Sequence, residues 1–202
     1  MSRNLILAAA LALASPVVAQ DATDGPGPNL VIEVAGAANG TVVIDLFSDT
    51  APLHAAQITA LAKAGAYDNV VFHRVIDGFM AQTGDVMYGK AGTDNSMAGM
   101  GDSEMPNIPA EFSTELSFQR GMVGMARAGD PACGGDPTCP EGQEFLDSAN
   151  SQFFIMFAPG EFLDGHYTIV GQVISGMDDV DAIQRGEPPA TPDVMTKVTV
   201  QE

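Results

Sequence analysis

The feature that most limits the fold of this chain is a series of short runs rich in Val, Ile and Phe, separated by Gly, Pro, Asn and Asp. Such runs predict β-strands, because branched and aromatic side chains fit a pleated, half-buried surface. Two segments, Ala51–Ala64 and Met177–Gln184, have the pattern of helices instead. Many strands with few helices predict an antiparallel barrel or sandwich. The predicted strands are Leu30–Val34, Thr41–Phe47, Val70–Ile76, Gly121–Ala126, Ser151–Phe157, Tyr167–Ile174 and Val194–Val200.

The length of the chain, 202 residues, suits one ordinary domain, and an apolar content of 46% is enough for a sizeable core. The charge balance is strongly acidic, with 8 Lys and Arg against 26 Asp and Glu and a formal net charge of -18. Such a surface repels nucleic acid and anionic membranes, since affinity for phosphate comes from Lys and Arg. We therefore expect neither as a partner and interpret the charge mainly as a source of solubility.

The N-terminal segment has the order of regions found in a secretory signal peptide. Arg3 is the only charge before Asp21, Leu5–Ala14 is an unbroken apolar run, and Val17–Ala19 supplies small residues at a cleavage position. The apolar run is too short to span a bilayer as a permanent helix. We predict a signal peptide at residues 1–19, a linker at 20–28 and a mature protein that is periplasmic or secreted.

The two cysteines, Cys133 and Cys139, lie close together in a segment rich in Gly and Pro. In an exported protein such a pair favours a disulfide, with two free thiols as the alternative. A zinc site would need paired CxxC motifs or nearby histidines, whereas His54, His73 and His166 are scattered along the chain. The acidic residues near the cysteines lack the spacing of a calcium-binding EF-hand. We therefore expect no metal site.

Four blocks of sequence carry a more specific signal. The segment Tyr67–Gly84 contains Phe-His-Arg-Val-Ile, then Gly-Phe-Met and Gln-Thr-Gly. Further along are Gly-Met-Val-Gly-Met-Ala from Gly121, Asn-Ser-Gln-Phe-Phe-Ile from Asn150, and Phe-Leu-Asp-Gly from Phe162, followed by Val170–Val173. In content and in order, these blocks resemble the signature segments of the cyclophilins, a family of peptidyl-prolyl cis/trans isomerases. The resemblance is to the bacterial exported type and spans Leu30 to Val200.

The resemblance implies a mainly β fold, a closed eight-stranded antiparallel β-barrel capped by two α-helices. Its interior would be packed with side chains, and its active site would be a groove on the outer face. The domain would cover residues 29–202, with residues 129–147 as an insertion relative to the compact family pattern. We expect a monomer that acts on proline-containing, unfolded or folding polypeptides and uses no cofactor.

The resemblance also implies the site residues. Arg74 and Gln82 would be catalytic. Three positions depart from the usual family residues: Phe162 replaces a common Trp, Tyr167 replaces a common His, and Arg127 replaces a common Asn whose substrate contact is expected through the backbone. The residues implied to bind substrate are Phe79, Met80, Ala126, Arg127, Gln152, Phe154, Phe162, Leu163 and Tyr167.

These residue types suit the reaction on physical grounds. The barrier to rotation about a peptide bond, about 18–20 kcal/mol, comes from its partial double-bond character. A donor aimed at the proline nitrogen favours the twisted form, in which the nitrogen lone pair is no longer delocalised. Arg74 suits this role because a guanidinium is always charged and rigidly forked. An apolar pocket formed by Phe79, Met80, Phe154 and Leu163 would hold the proline ring.

Two alternatives remain beside an isomerase acting on exported polypeptides. The first is a module with the same fold that grips proline segments without turnover, as a holdase would. The second is a plain structural β-barrel, which would leave the four blocks unexplained. The presence of Arg74, Phe79, Met80 and Gln82 favours the enzyme.

Overall fold

The computed structural model describes residues 23–134 and 140–202. The predicted signal peptide, the first residues of the linker and Cys139 lie outside these ranges. The described strands are β1 (Asn29–Ala35), β2 (Asn39–Leu46), β3 (Val70–Val71), β4 (Arg74–Ile76), β5 (Met80–Thr83), β6 (Met122–Met125), β7 (Phe153–Met156), β8 (Ile169–Ser175) and β9 (Val194–Gln201). The described helices are α1 (Pro52–Lys63), α2 (Gln143–Leu146) and α3 (Met177–Ala182), with a 3-10 turn at Glu161–Leu163.

The strands form one antiparallel sheet in the order β3-β9-β1-β2-β8-β6-β7-β5-β4. The mainly β class is confirmed, but the predicted numbers of strands and helices are not: the described residues form nine strands and three α-helices. The predicted strand Val70–Ile76 is interrupted at Phe72 and His73, because β3 pairs with β9 whereas β4 pairs with β5. β3 and β4 are the two ends of a curled sheet, and no ladder joins them across the described residues.

Two further elements escaped the sequence patterns. Strand β5 follows β4 after a turn at Asp77 and Gly78, and Gly78 has a φ of 67°, a conformation that favours glycine. Helix α2 lies inside the predicted insertion at residues 129–147. It is a single turn of four residues, too short to leave a helical periodicity in the sequence.

Alternation along the strands produces two separate apolar clusters. In β7, Phe153 and Ile155 belong to the main core, whereas Phe154 and Met156 belong to a second cluster together with Met80 of β5. Successive side chains of a strand point to opposite faces of a sheet, so the second cluster lies on the opposite face from the main core. This second face carries the candidate site.

Helices α1 and α3 pack against the sheet, α1 on β8 and β9 and α3 on β2. The N-terminus of α1 is capped by Glu111 from the long loop between β5 and β6, which accepts hydrogen bonds from the backbone N–H groups of Leu53 and His54, both at 3.1 Å. Such a contact satisfies donors that a helix leaves unpaired at its start. None of the helices in the described part of the chain is both long and apolar enough to cross a membrane.

Candidate functional site

Strand pairing places three predicted site residues in one row. Arg74 of β4 is opposite Gln82 of β5, Gln82 is opposite Phe154 of β7, and Phe154 is opposite Gly124 of β6. Residues directly opposite each other in a sheet point to the same face, with Cβ atoms roughly 4.5–5.5 Å apart. A guanidinium, an amide and an aromatic ring therefore lie side by side, although their positions in the sequence are far apart.

This row is part of a groove of about 380 Å³. Every residue predicted for catalysis or substrate binding lines the groove except Gln152, which lies behind Gln82. The groove also has lining residues that the sequence did not single out for the site: Gly129, Asp130, Cys133, Glu141 and His166. The structure thus brings the predicted residues together, while their individual roles stay predictions.

The floor of the groove is apolar and closely packed. Met80, Phe154 and Leu163 are 2%, 5% and 7% exposed. The ring of Phe154 stacks on Phe118 with 5.7 Å between centroids. Gly124 makes this possible, because a Cβ at that position would lie 2.4 Å from the Phe154 ring. A close-packed floor of this kind can receive a compact apolar group such as a five-membered ring.

Aromatic side chains form the rim. Phe162 is 61% exposed and its ring lies 5.7 Å from that of Phe79. Tyr167 meets Phe154 edge to face at 5.8 Å, an arrangement that aromatic quadrupoles favour. The aromatic replacements at positions 162 and 167 thus keep apolar walls around the floor.

Arg74 stands beside this floor, with its side chain 43% exposed. Its Nε donates to Oε2 of Glu187 at 2.8 Å. The contact follows from the backbone, since Val75 and Gly186 exchange two hydrogen bonds of 2.8 Å and bring their neighbours together. Glu187 is a functional candidate that sequence reasoning missed, because it lies 113 residues from Arg74 and outside the four recognised blocks.

The side chains of Gln82 and Gln152 are hydrogen-bonded to each other. Nε2 of Gln82 donates to Oε1 of Gln152 at 3.0 Å, and Nε2 of Gln152 donates to the carbonyls of Gly99 and Gly101 at 3.1 and 2.8 Å. Neither amide has a described hydrogen bond to Arg74. Gln152 therefore ties the 99–101 segment to the sheet and hydrogen-bonds to the Gln82 side chain, while its predicted role in substrate binding stays a prediction.

The three histidines lie in different surroundings. Among residues 23–134 and 140–202, no group of three or more His, Cys, Asp or Glu side chains is arranged to hold a metal ion. His54 is fully buried and its Nδ1–H donates to Glu111 at 2.6 Å. His73 is 5% exposed, and burial lowers its pKa, which keeps the ring neutral. His166 is exposed at the groove.

Arg127 joins the insertion to the groove. Its side chain is only 4% exposed, forms an ion pair with Glu141, and lies 4.6 Å from the centroid of the Tyr167 ring. Nε and NH1 donate to the carbonyls of His166 and Ala128, both at 3.0 Å. Each nitrogen of the guanidinium therefore has a partner within the protein, so the Arg127 side chain is fixed at the side of the groove. The hydrogen bond from Arg127 lowers the pKa of Glu141 and keeps it ionised.

Cys133 also lines the groove. It is disulfide-bonded, and the sequence contains one other cysteine, Cys139. Because Cys139 lies outside the described residues, the pairing of the two stays a prediction.

Residues 30–201 match the model of one protein family, described as cyclophilin type peptidyl-prolyl cis-trans isomerase/CLD. A probable peptidyl-prolyl cis-trans isomerase of Brucella suis is 45% identical to this chain over 206 residues, which cover 98% of this chain and 96% of the relative. A peptidyl-prolyl cis-trans isomerase of Acinetobacter baylyi is 34% identical over 149 residues, 71% of this chain and 66% of that protein.

Solved structures show the same fold. A cyclophilin of Hirschia baltica has a TM-score of 0.65 at 23% identity, with 87% of this chain and 74% of that chain covered. A cyclophilin type isomerase of Cryptosporidium parvum, solved in the presence of the dipeptide Ala-Pro, has a TM-score of 0.67 at 23% identity, with 86% of this chain and 99% of that chain covered. The family match, the near full-length relatives and the shared fold together show that the chain belongs to the cyclophilin-type peptidyl-prolyl cis-trans isomerases.

Proposed function

We propose that this isomerase accelerates Xaa-Pro rotation in exported polypeptides, with Arg74 donating a hydrogen bond to the proline nitrogen. The observation that carries the proposal is the position of the Arg74 guanidinium. It is a partly exposed cation, one strand away from the Gln82–Phe154 pair and beside a nearly fully buried apolar floor. A proline ring on the floor would present its nitrogen within reach of this donor.

The energetics explain why one donor matters. Conjugation of the nitrogen lone pair with the carbonyl holds the amide planar. In the twisted form this conjugation is lost, and the lone pair is localised on the nitrogen. A hydrogen bond to that lone pair is stronger in the transition state than in either planar state. Only such differential binding lowers the barrier. Arg74 is already positioned in the groove, so it does not need to reorganise during the rotation.

The apolar floor supplies positioning. Met80, Phe154 and Leu163 can hold the proline ring while the preceding carbonyl rotates. The amide of Gln82 is fixed by its hydrogen bond to Gln152, which leaves Oε1 of Gln82 directed away from that bond. We assign this oxygen to accept a backbone N–H of the substrate.

The experiment is peptide exchange between cis and trans followed by NMR, with and without the protein. We expect the Arg74→Ala variant to lose about 10²–10³-fold in kcat/KM, the usual cost of one preorganised donor. Arg74→Lys should recover little, because an ammonium lacks the planar fork. Thermal unfolding should stay within a few degrees of wild type, since Arg74 is partly exposed. A folded Arg74→Ala variant with wild-type turnover would overturn the mechanism and favour a proline-gripping module.

The choice of exported polypeptides as substrates rests on the N-terminal sequence pattern and on the cysteine pair. Arg3, the apolar run Leu5–Ala14 and the small residues Val17–Ala19 have the order that signal peptidases recognise. N-terminal sequencing of protein recovered from outside the cytoplasm should begin at Gln20. A mature protein that retains Met1 would rule out this part of the proposal.

A further inference from the structure

The groove continues beyond the proline floor to a wall made by the insertion. Asp130, Cys133 and Glu141 line it together with His166 and Tyr167. The implied proline pocket does not include this region, because the insertion is an addition to the compact family pattern. A polypeptide bound with its proline on the floor would therefore place neighbouring residues against a surface that belongs to this insertion.

The wall is held in a defined position. Arg127, with a side chain 4% exposed, forms an ion pair with Glu141 of the insertion and lies over the Tyr167 ring. Oε1 of Glu141 accepts the backbone N–H of Asp130 at 3.1 Å. The Asp130 carboxylate in turn accepts the N–H groups of Ala132 at 2.8 Å and Gly142 at 3.3 Å. Both ends of the insertion are thus tied to each other and to the groove.

The charges on this wall do not cancel. Among the described residues that line this wall, Arg127 and Glu141 form an ion pair, which leaves the carboxylate of Asp130 without a cationic partner. Asp130 is half-buried, and its two described partners are neutral backbone N–H groups. A carboxylate has about four acceptor positions, so oxygen lone pairs remain for a donor from the substrate.

From this arrangement we infer that Asp130 is a specificity-determining residue, which selects proline segments with a basic side chain near the proline. The inference rests on the proposed isomerase function of the groove and adds a substrate class to it. A Lys or Arg side chain is long enough to keep its charge at the wall while its backbone follows the groove. An acidic side chain at the same place would meet the carboxylate of Asp130 and be repelled.

The experiment measures kcat/KM for pairs of peptides that differ only in Lys or Glu, placed at one position at a time on either side of a single proline. A peptide with Ala at these positions reports basal turnover. The assay is run at about 0.1 M salt, at which the Debye length is about 10 Å. Interactions between a substrate side chain and more distant charges are then largely screened, whereas its interaction with the adjacent wall is retained. For the position that meets the wall, we expect wild type to prefer Lys over Glu by about fivefold, as for a partly exposed ion pair.

Two variants and one control locate the effect. Asp130→Asn removes the uncompensated charge but keeps an acceptor for the Ala132 N–H. Glu141→Gln unpairs Arg127 and brings the wall to neutrality by a different route. Glu144→Gln removes an identical charge from the same insertion at an exposed position outside the groove. For each variant we take the ratio of kcat/KM for the Lys peptide to kcat/KM for the Glu peptide, so a general loss of activity cancels out of the ratio.

We expect Asp130→Asn and Glu141→Gln to bring the ratio close to one and Glu144→Gln to keep the wild-type ratio. A wild-type ratio near one at every position would overturn the inference, and so would a preference for Glu. An equal loss of preference in the Glu144→Gln control would also overturn it, because the preference would then come from overall charge. If the Ala peptide is not turned over by wild type, the proposed function itself fails.

Discussion

The Nε atom of Arg74 donates to Oε2 of Glu187 at 2.8 Å, across 113 residues of sequence. Arg74 also lines the groove, and its terminal nitrogens have no hydrogen-bond partner among the described residues. Both side chains are about half exposed, at 43% and 52%, so the pair should add little to stability. Its effect is to restrict the rotamers of Arg74, which makes Glu187 a positioning residue for the proposed donor.

The first prediction concerns this pair. Glu187→Gln should lower kcat by about tenfold with KM little changed, because Arg74 would spend more time in unproductive orientations. The measurement is NMR peptide exchange over a range of peptide concentrations, alongside a melting curve. The matched control is Asp181→Asn, which breaks a similarly exposed pair with Arg120 outside the groove. Equal kcat values in the two variants would show that Glu187 does not position Arg74.

The second prediction separates the floor of the groove from its rim. Phe154→Ala removes a ring that is 5% exposed and stacked on Phe118, and should cost about 3–5 kcal/mol of unfolding free energy. Phe162→Ala removes a ring that is 61% exposed and should leave the melting temperature nearly unchanged. Both variants should raise KM, since both remove apolar contact with the substrate. An unchanged KM in Phe154→Ala would contradict the assignment of the floor.

The third prediction is that stability falls as the pH decreases from about 7.5 toward 5. Burial lowers the pKa of His54 and of His73 in the folded state from their ordinary value of 6.5. The unfolded chain therefore binds more protons than the folded one below about pH 6.5, so acidification favours unfolding. The loss begins near the unfolded pKa of 6.5 and continues down to the folded pKa values.

Melting curves at a series of pH values test this prediction. His54→Gln and His73→Gln should each flatten the pH dependence. His166→Gln is the control for the removal of an exposed histidine. If both buried variants keep the wild-type slope between pH 7 and 5, the histidines are not its source.

The fourth prediction is that Cys133 and Cys139 form a disulfide within the insertion. The intact mass of the protein, purified without reductant, should rise on alkylation only after reduction. A loop this short should contribute about 2 kcal/mol to stability, because little entropy is removed from the unfolded chain. Replacing both cysteines by Ser should lower the melting temperature by a corresponding few degrees. Two thiols that react with an alkylating reagent before reduction would contradict the pairing.

The sequence was sufficient for most of the sheet and for ten of the fifteen residues that line the groove. Turn residues and runs of branched side chains predicted β1, β2, β6, β7, β8 and β9, because those signals are local. The resemblance to the cyclophilin signature predicted these ten residues, whereas Gly129, Asp130, Cys133, Glu141 and His166 carried no such signal. The sequence did not predict the interruption of the strand at Phe72 and His73, because this interruption depends on which distant strand each half of the predicted strand pairs with.

Only the tertiary structure decided which groups act on one another. It showed that Glu187 holds Arg74, that Gln152 hydrogen-bonds to Gln82, and that Arg127 is committed to Glu141 and Tyr167. It also placed Asp130 and Glu141 of the predicted insertion against the groove, with Asp130 lacking a cationic partner among the described residues. Residue type and order along the chain determined the family to which this protein belongs. Contacts between residues far apart in the sequence have no local signature, so the orientation and charge of its site emerged only from the folded chain.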